Sequence, residues 1–228
     1  MSDAAPAPPT ASALRLVVAA ERLFALHGIE GISLRQIAAE AGSGNNSAVH
    51  YHFGSKDRLI EAIFGHRLGQ LTRERQLLFT RCHPDDIRAR FEAHYLPVLA
   101  MADAPDNRYV SFVEQLQRHE ASGRFFTSLP REWQLSNEGF LADMQRLLMS
   151  IEEPIRTMRI VDAQTLCLHA AADRERALSA GAAVPPFELF AASLLDGVTG
   201  FVASPPSAAT LRHLPHDDAV TAPALRLL

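Results

Sequence analysis

Lysine is nearly missing from this 228-residue chain: of its 22 lysines and arginines, only Lys56 is a lysine. Nor do cationic side chains outnumber acidic ones. Twenty-six aspartates and glutamates leave a net charge of −4, so binding to nucleic acid or an anionic surface must rest on a local site. Cysteine is scarce as well. Cys82 and Cys167 lie far apart, match no metal-ligand spacing and are too few for a disulfide framework, which suits a reducing compartment and predicts a cytoplasmic protein. No run approaches the ~20 uncharged apolar residues that a membrane span needs. Arg15, Glu21 and Arg22 interrupt the first apolar stretch, and no basic segment precedes it, so no secretory leader is expected either.

Catalytic signatures are absent too. The sequence holds no G-x-S-x-G, H-E-x-x-H or Walker pattern, and Gly197-Val198-Thr199-Gly200 lacks the preceding strand of a phosphate loop. His50 and His52 stand two apart, and on a helix such residues face away from each other rather than share a metal. The expectation is a protein that is not an enzyme and has no cofactor and no metal. No segment alternates with β-branched residues over four or more positions, so no strand is expected.

What is present is helix after helix. Hydrophobic residues make up 47% of the chain, enough to offset the entropy of folding. The predicted fold class is all-α, with about nine helices. Residues 1–10 are rich in Ala and Pro and read as a disordered tail. A first helix is expected from about Ser12 to His27, stopped by Gly28. Ser33 and Gln36 form a capping box for a second, flanked by Ile32 and Ile37 as a hydrophobic staple, ending near Ala41. A turn at Ser43-Gly44-Asn45 leads into a short third helix from about Asn46 to His52. Ser55 caps a fourth that runs to about Thr80. Further helices are expected at about 84–103, 107–121, 132–151, 155–179 and 186–203. Breaks fall at Pro84, Pro105, Gly123–Pro130, Pro154 and Pro185-Pro186. Residues 204–228 carry four prolines and read as a loose tail.

Helix, glycine-containing turn, short helix is the spacing of a helix-turn-helix. Ile37, Ala38, Ala41, Val49 and Phe53 supply the apolar inner face that fixes the angle between the helices. The outer face of the short helix carries Asn46, Ser47, His50 and Tyr51. Asparagine pairs bidentately with adenine, and serine donates or accepts. Histidine and tyrosine more often reach phosphates. Ser33 and Arg35, at the start of the second helix, can clamp a phosphate on one side, and Lys56 can point a compact charge at the backbone on the other.

These residues resemble the TetR family of regulators. The resembling stretch runs from about Leu16 to Phe64. It includes A-A-E-R-L-F-A-L-H-G at 19–28, S-L-R-Q-I-A-A-E-A-G at 33–42 and A-V-H-Y-H-F-G-S-K-D-R-L-I at 48–60. By resemblance, His50, Tyr51 and Lys56 fall on DNA-contact positions. The turn Ser43-Gly44-Asn45-Asn46 is one residue longer than the commonest family pattern, so Asn45, Asn46 and Ser47 each compete to lead the recognition helix.

The resemblance implies a DNA-binding head at 11–60, an effector-binding and dimerisation domain at 61–203, and tails on either side. It implies a repressor that binds a palindromic operator as a homodimer and is released by a small-molecule effector. Phe187, Phe190, Leu194, Val198 and Phe201 form a stripe at helical spacing for the dimer interface. Phe112, Gln115, Leu116, His119, Phe126, Trp133, Phe140 and Met144, with Phe125 and Arg118 nearby, can line a pocket for a largely apolar effector, or can be ordinary core. A helical carrier or adaptor without operator binding is the alternative, because charges in the head balance: Arg15, Arg22, Arg35, Lys56 and Arg58 against Glu21, Glu30, Glu40, Asp57 and Glu61.

Overall fold

A computed structural model of the chain describes residues 10–45, 47–119 and 122–214. The disordered tail expected at the amino end and most of the one at the carboxyl end lie outside these residues. The described residues form eleven helices and no strand.

α1 (Ala11–His27) starts where Thr10 Oγ1 accepts from Ala13 N at 3.2 Å, and stops at Gly28, whose φ of 75° suits a residue without Cβ. Leu16, Val17, Ala20 and Phe24 form its buried face. α2 (Leu34–Glu40) carries the expected capping box. The N–H of Ser33 donates to Gln36 Oε1 at 2.8 Å, and Gln36 N donates to Ser33 Oγ at 3.3 Å. α3 (Ala48–Phe53) is short, and α4 (Lys56–Phe79) is long. Twenty-four residues at 1.5 Å each carry α4 about 36 Å, out of the head and through the rest of the molecule.

The remaining elements are α5 (Ile87–Asp103), α6 (Tyr109–Gln117), α7 (Ser122–Thr127), α8 (Arg131–Leu147), α9 (Ile155–Ser179), α10 (Phe187–Ala203) and α11 (Ala208–Leu211). Two of them correct the expected layout. Gly123–Pro130 is not simply a break, because Phe125 is buried there and holds the turn of α7 against the body. The described part of the carboxyl-terminal tail includes α11, started by Ser207 Oγ accepting from Thr210 N at 3.2 Å.

One apolar core runs without a gap from Leu16 to Val202. Its joint between head and body is aromatic. Phe112 of α6 lies 6.2 Å from Phe24 of α1 and 5.7 Å from Phe64 of α4, centre to centre. Beside these rings, buried Glu21 accepts two bonds from Arg67, at 2.8 and 2.7 Å, and a third from Arg108 N at 3.2 Å. One carboxylate therefore fastens α1, α4 and the start of α6. No helix of the described residues is long and apolar enough to cross a membrane.

Candidate nucleic-acid interface

The turn between α2 and α3 is built by its own backbone. Gly42 N bonds Ala39 O at 3.0 Å and Ser43 N bonds Ala38 O at 2.9 Å. This paired closure needs a left-handed residue, which Gly42 supplies with a φ of 66°. Asn45 then starts the next helix. Its Oδ1 accepts from Ser47 N at 2.9 Å, and its carbonyl accepts from Ala48 N at 3.0 Å. α3 therefore begins at Ala48, two residues later than the sequence pattern suggests. Asn45 Oδ1 is occupied in holding that start, and Asn46 lies outside the described residues.

α3 is amphipathic over barely two turns. Ala48 and Val49 are buried against the rest of the head, and Phe53 packs partly against the same core. Ser47 and His50 are exposed, and Tyr51 keeps 82% of its surface in solvent. An aromatic ring that open on a short, propped helix is available to a partner. His52 is half-buried, its ring edge-to-face with that of Tyr51 at 5.1 Å between centres.

Ser33 and Arg35 are exposed at the start of α2. Ser33 Oγ already bonds Gln36 Oε1 at 2.8 Å, whereas Arg35 has no ion-pair partner among the described residues. Two further arginines of the head are engaged. Arg22 meets Glu40 at 2.5 Å and Arg58 meets Glu61 at 3.1 Å. Lys56 is half-buried rather than extended. Its Nζ donates to Ile29 O at 2.9 Å and sits 6.0 Å from the Phe24 ring centre. It thereby straps the first turn of α4 to the α1–α2 loop, with one of its three N–H donors used in that bond.

Residues read as an effector pocket are not gathered into one cavity. Phe112 and Leu116 are buried in the joint with the head. Phe140 and Met144 are buried elsewhere, Phe140 in a cluster with Phe91, His94 and Tyr95. Trp133 lies under the guanidinium of Arg75, at 4.1 Å. Gln115 is half-buried beside Gly28, and His119 Nε2 meets Glu30 Oε1 of the α1–α2 loop at 2.6 Å. Arg118 reaches Glu114 at 3.5 Å. The side chain of Phe126 lies outside those described. A groove of about 640 Å³ opens between α4, α5 and α8, and Phe140 alone of the expected set lines it.

Sequence reasoning passed over the buried polar groups of this region: Arg75, His94, Asn137 and Gln164. The signal was in the spacing. Leu68, Leu71 and Arg75 share a face of α4, and Trp133, Asn137, Phe140 and Met144 share one of α8, so a polar residue stands on each apolar stripe.

The α10 stripe needs one correction. Val198 points inward and is fully buried, together with Ala191, Leu195 and Val202. The 191/195/198/202 spacing is the face that packs on α5 and α9. The outer face carries Leu189 and Phe201, 62% and 42% exposed, with Leu194 half-buried beside them. Phe187 and Phe190 are half-buried beneath the Arg174 guanidinium, at 5.9 and 4.9 Å. On α9, Met158 and Leu166 are exposed.

Residues 16–63 match the family profile of bacterial regulatory proteins, tetR family. Over 63 residues, 28% of this chain, the sequence is 40% identical to the HTH-type transcriptional repressor AcnR of Corynebacterium glutamicum. The match spans 33% of that relative's length. Among solved structures, GusR of Salmonella enterica shares 18% identity at a TM-score of 0.47, covering 86% of this chain and 97% of the other. The superantigen PfiT shares 16% identity at a TM-score of 0.47, covering 83% and 97%.

Proposed function

From a chain that belongs, by its residues 16–63, to the tetR family of bacterial regulatory proteins, we propose a transcriptional repressor that binds a palindromic operator as a homodimer and is released by a small-molecule effector. The observation that carries this reading is the outer face of α3, where His50 and Tyr51 stand in solvent while Ala48 and Val49 fix the helix from beneath. In the proposed complex α3 enters the major groove. Ser47 and Asn46 meet base edges at its leading end, while His50 and Tyr51 meet base or backbone. Asn45 shapes that leading end. Ser33 and Arg35 reach a phosphate from the start of α2, and Lys56 acts from the start of α4, where its strap to Ile29 also sets the loop.

The proposed division is a reading head at 11–60, which shares α4 with an effector and dimerisation region at 61–203. The outer faces of α9 and α10 form the dimer contact, with Leu166, Leu189, Leu194 and Phe201 at its centre. A twofold dimer of this kind holds two heads about 34–36 Å apart, which is why the operator is palindromic. An effector that prefers another spacing shifts the population away from DNA.

The test is a mobility-shift series with DNA from upstream of the chain's own gene. Wild type is expected to bind, with affinity falling steeply as salt rises. His50→Ala with Tyr51→Ala is expected to weaken binding at least about tenfold, while stability stays within about 0.5 kcal/mol because both side chains are exposed. Failure to bind any upstream fragment at low salt would favour the carrier, a reading that the balanced charges of the head support.

A further inference from the structure

Arg75 lies on the inner face of α4 and is fully buried. Its Nε donates to the His94 carbonyl at 2.8 Å, its Nη1 donates to Asn137 Oδ1 at 3.1 Å, and its guanidinium covers the Trp133 ring at 4.1 Å. Asn137 and Trp133 are themselves 1% and 3% exposed. Asn137 spends its oxygen on Arg75, and its Nδ2 makes no hydrogen bond among the described residues; nor does Trp133 Nε1. Both are buried donors without acceptors, an arrangement that native cores rarely keep without a purpose.

These groups share one chemistry. Guanidinium, indole N–H and amide NH2 all donate, and a carboxylate offers two oxygens that only accept. Burial pulls the Arg75 pKa down to about 10, which leaves the group cationic at neutral pH. Space for the rest of a ligand lies next door. The groove of about 640 Å³ between α4, α5 and α8 has Phe79, Leu135 and Phe140 in its wall, a volume typical of small-molecule sites. The Phe140 ring of that wall stacks on His94 at 4.1 Å, and the His94 carbonyl accepts from Arg75, so Phe140 and His94 connect the groove to the donor cluster.

We propose that Arg75, Trp133 and Asn137 receive the acidic group of the effector, which is a small organic acid whose apolar body lies in the α4–α5–α8 groove. This rests on the reading of the chain as an effector-responsive regulator. The acid enters along the groove, the Phe140 ring turns aside, and the carboxylate takes N–H bonds from Trp133, Asn137 and Arg75.

Trp133 is the only tryptophan of the chain, so its emission reports on this site alone. The full-length protein is titrated with 4-phenylbutyrate and octanoate, and with the neutral primary amide of each. Saturable changes in emission are expected with the acids, and binding of the amides about ten- to hundredfold weaker. Arg75→Met and Asn137→Leu should each weaken the acids by at least about tenfold. Asn137→Leu decides the matter if Arg75→Met does not fold. No saturable change with either acid up to about 10 mM, or amides that bind as tightly as acids, overturns the inference. Operator binding is measured separately, without acid. A protein that shifts its upstream DNA but ignores both acids keeps the regulatory reading and loses this one, whereas acid binding without a DNA shift does the reverse.

Discussion

The head and the body hold themselves together over different distances. In the head, the bonds that start the helices span two or three residues, Thr10 to Ala13, Ser33 to Gln36, Asn45 to Ser47 and Ser55 to Arg58, and its longer ties, Arg22 to Glu40 and Lys56 to Ile29, span 18 and 27. In the body the ties between helices join residues 62 to 71 apart. Arg75 meets Asn137, Glu175 meets Val110 and Ser111, Arg176 meets Glu114, and Arg174 meets Asp103 at 2.7 Å. Glu21 belongs to the head by position and to the body by its bonds, since both its partners lie beyond α3. A short reading helix is thus shaped locally, and its aim is set by a few distant contacts.

The sharpest way to break this contrast is at Glu21. Glu21→Ala leaves Arg67 and Arg108 N without their acceptor beside a buried core, and about 3–5 kcal/mol of stability should be lost. Urea unfolding measures it, and a loss no larger than that of a cap substitution would erase the distinction.

Next in size is a pH effect in the body. Glu175 of α9 is 1% exposed and accepts from Val110 and Ser111 N, both at 3.2 Å. Burial outweighs those bonds and raises its pKa from 4.5 to about 7. Between those two values the folded chain holds a proton that the unfolded chain has released. Stability should therefore fall as pH rises through this window, by up to about 3 kcal/mol from this group. Arg108 is the charged group that acts on this carboxyl, and it opposes the rise. Glu175→Gln should flatten that part of the stability-against-pH curve; an unchanged slope would place the titration elsewhere.

The smallest effect belongs to the head. Ser33→Ala removes one half of the capping box, and a loss of about 1 kcal/mol is expected in thermal unfolding. Operator affinity should change with it only as far as α2 frays.

The same contrast explains what could be read in advance. The capping box at Ser33, the glycine stop at 28, and the buried positions Ile37 and Val49 were legible because each depends on neighbours a few residues away. Lys56 was legible as a position but not as a contact, since its partner Ile29 is 27 residues distant. The facing of Val198, the dispersal of the expected pocket, and the burial of Arg75 depend on which helices meet, and local periodicity does not encode that. Periodicity did mark Arg75 and Asn137 as polar residues on apolar stripes, a signal open to anyone reading α4 and α8 by face.

The aromatic joint has one more consequence. Cutting the chain after residue 60 would strip Phe24 of its contact with Phe112 and remove Ile63 and Phe64 altogether. A fragment ending there would meet water with the surface it now hides. The reading head is no detachable cartridge, and transplanting its specificity onto another scaffold means carrying α6 and the first half of α4 along with it.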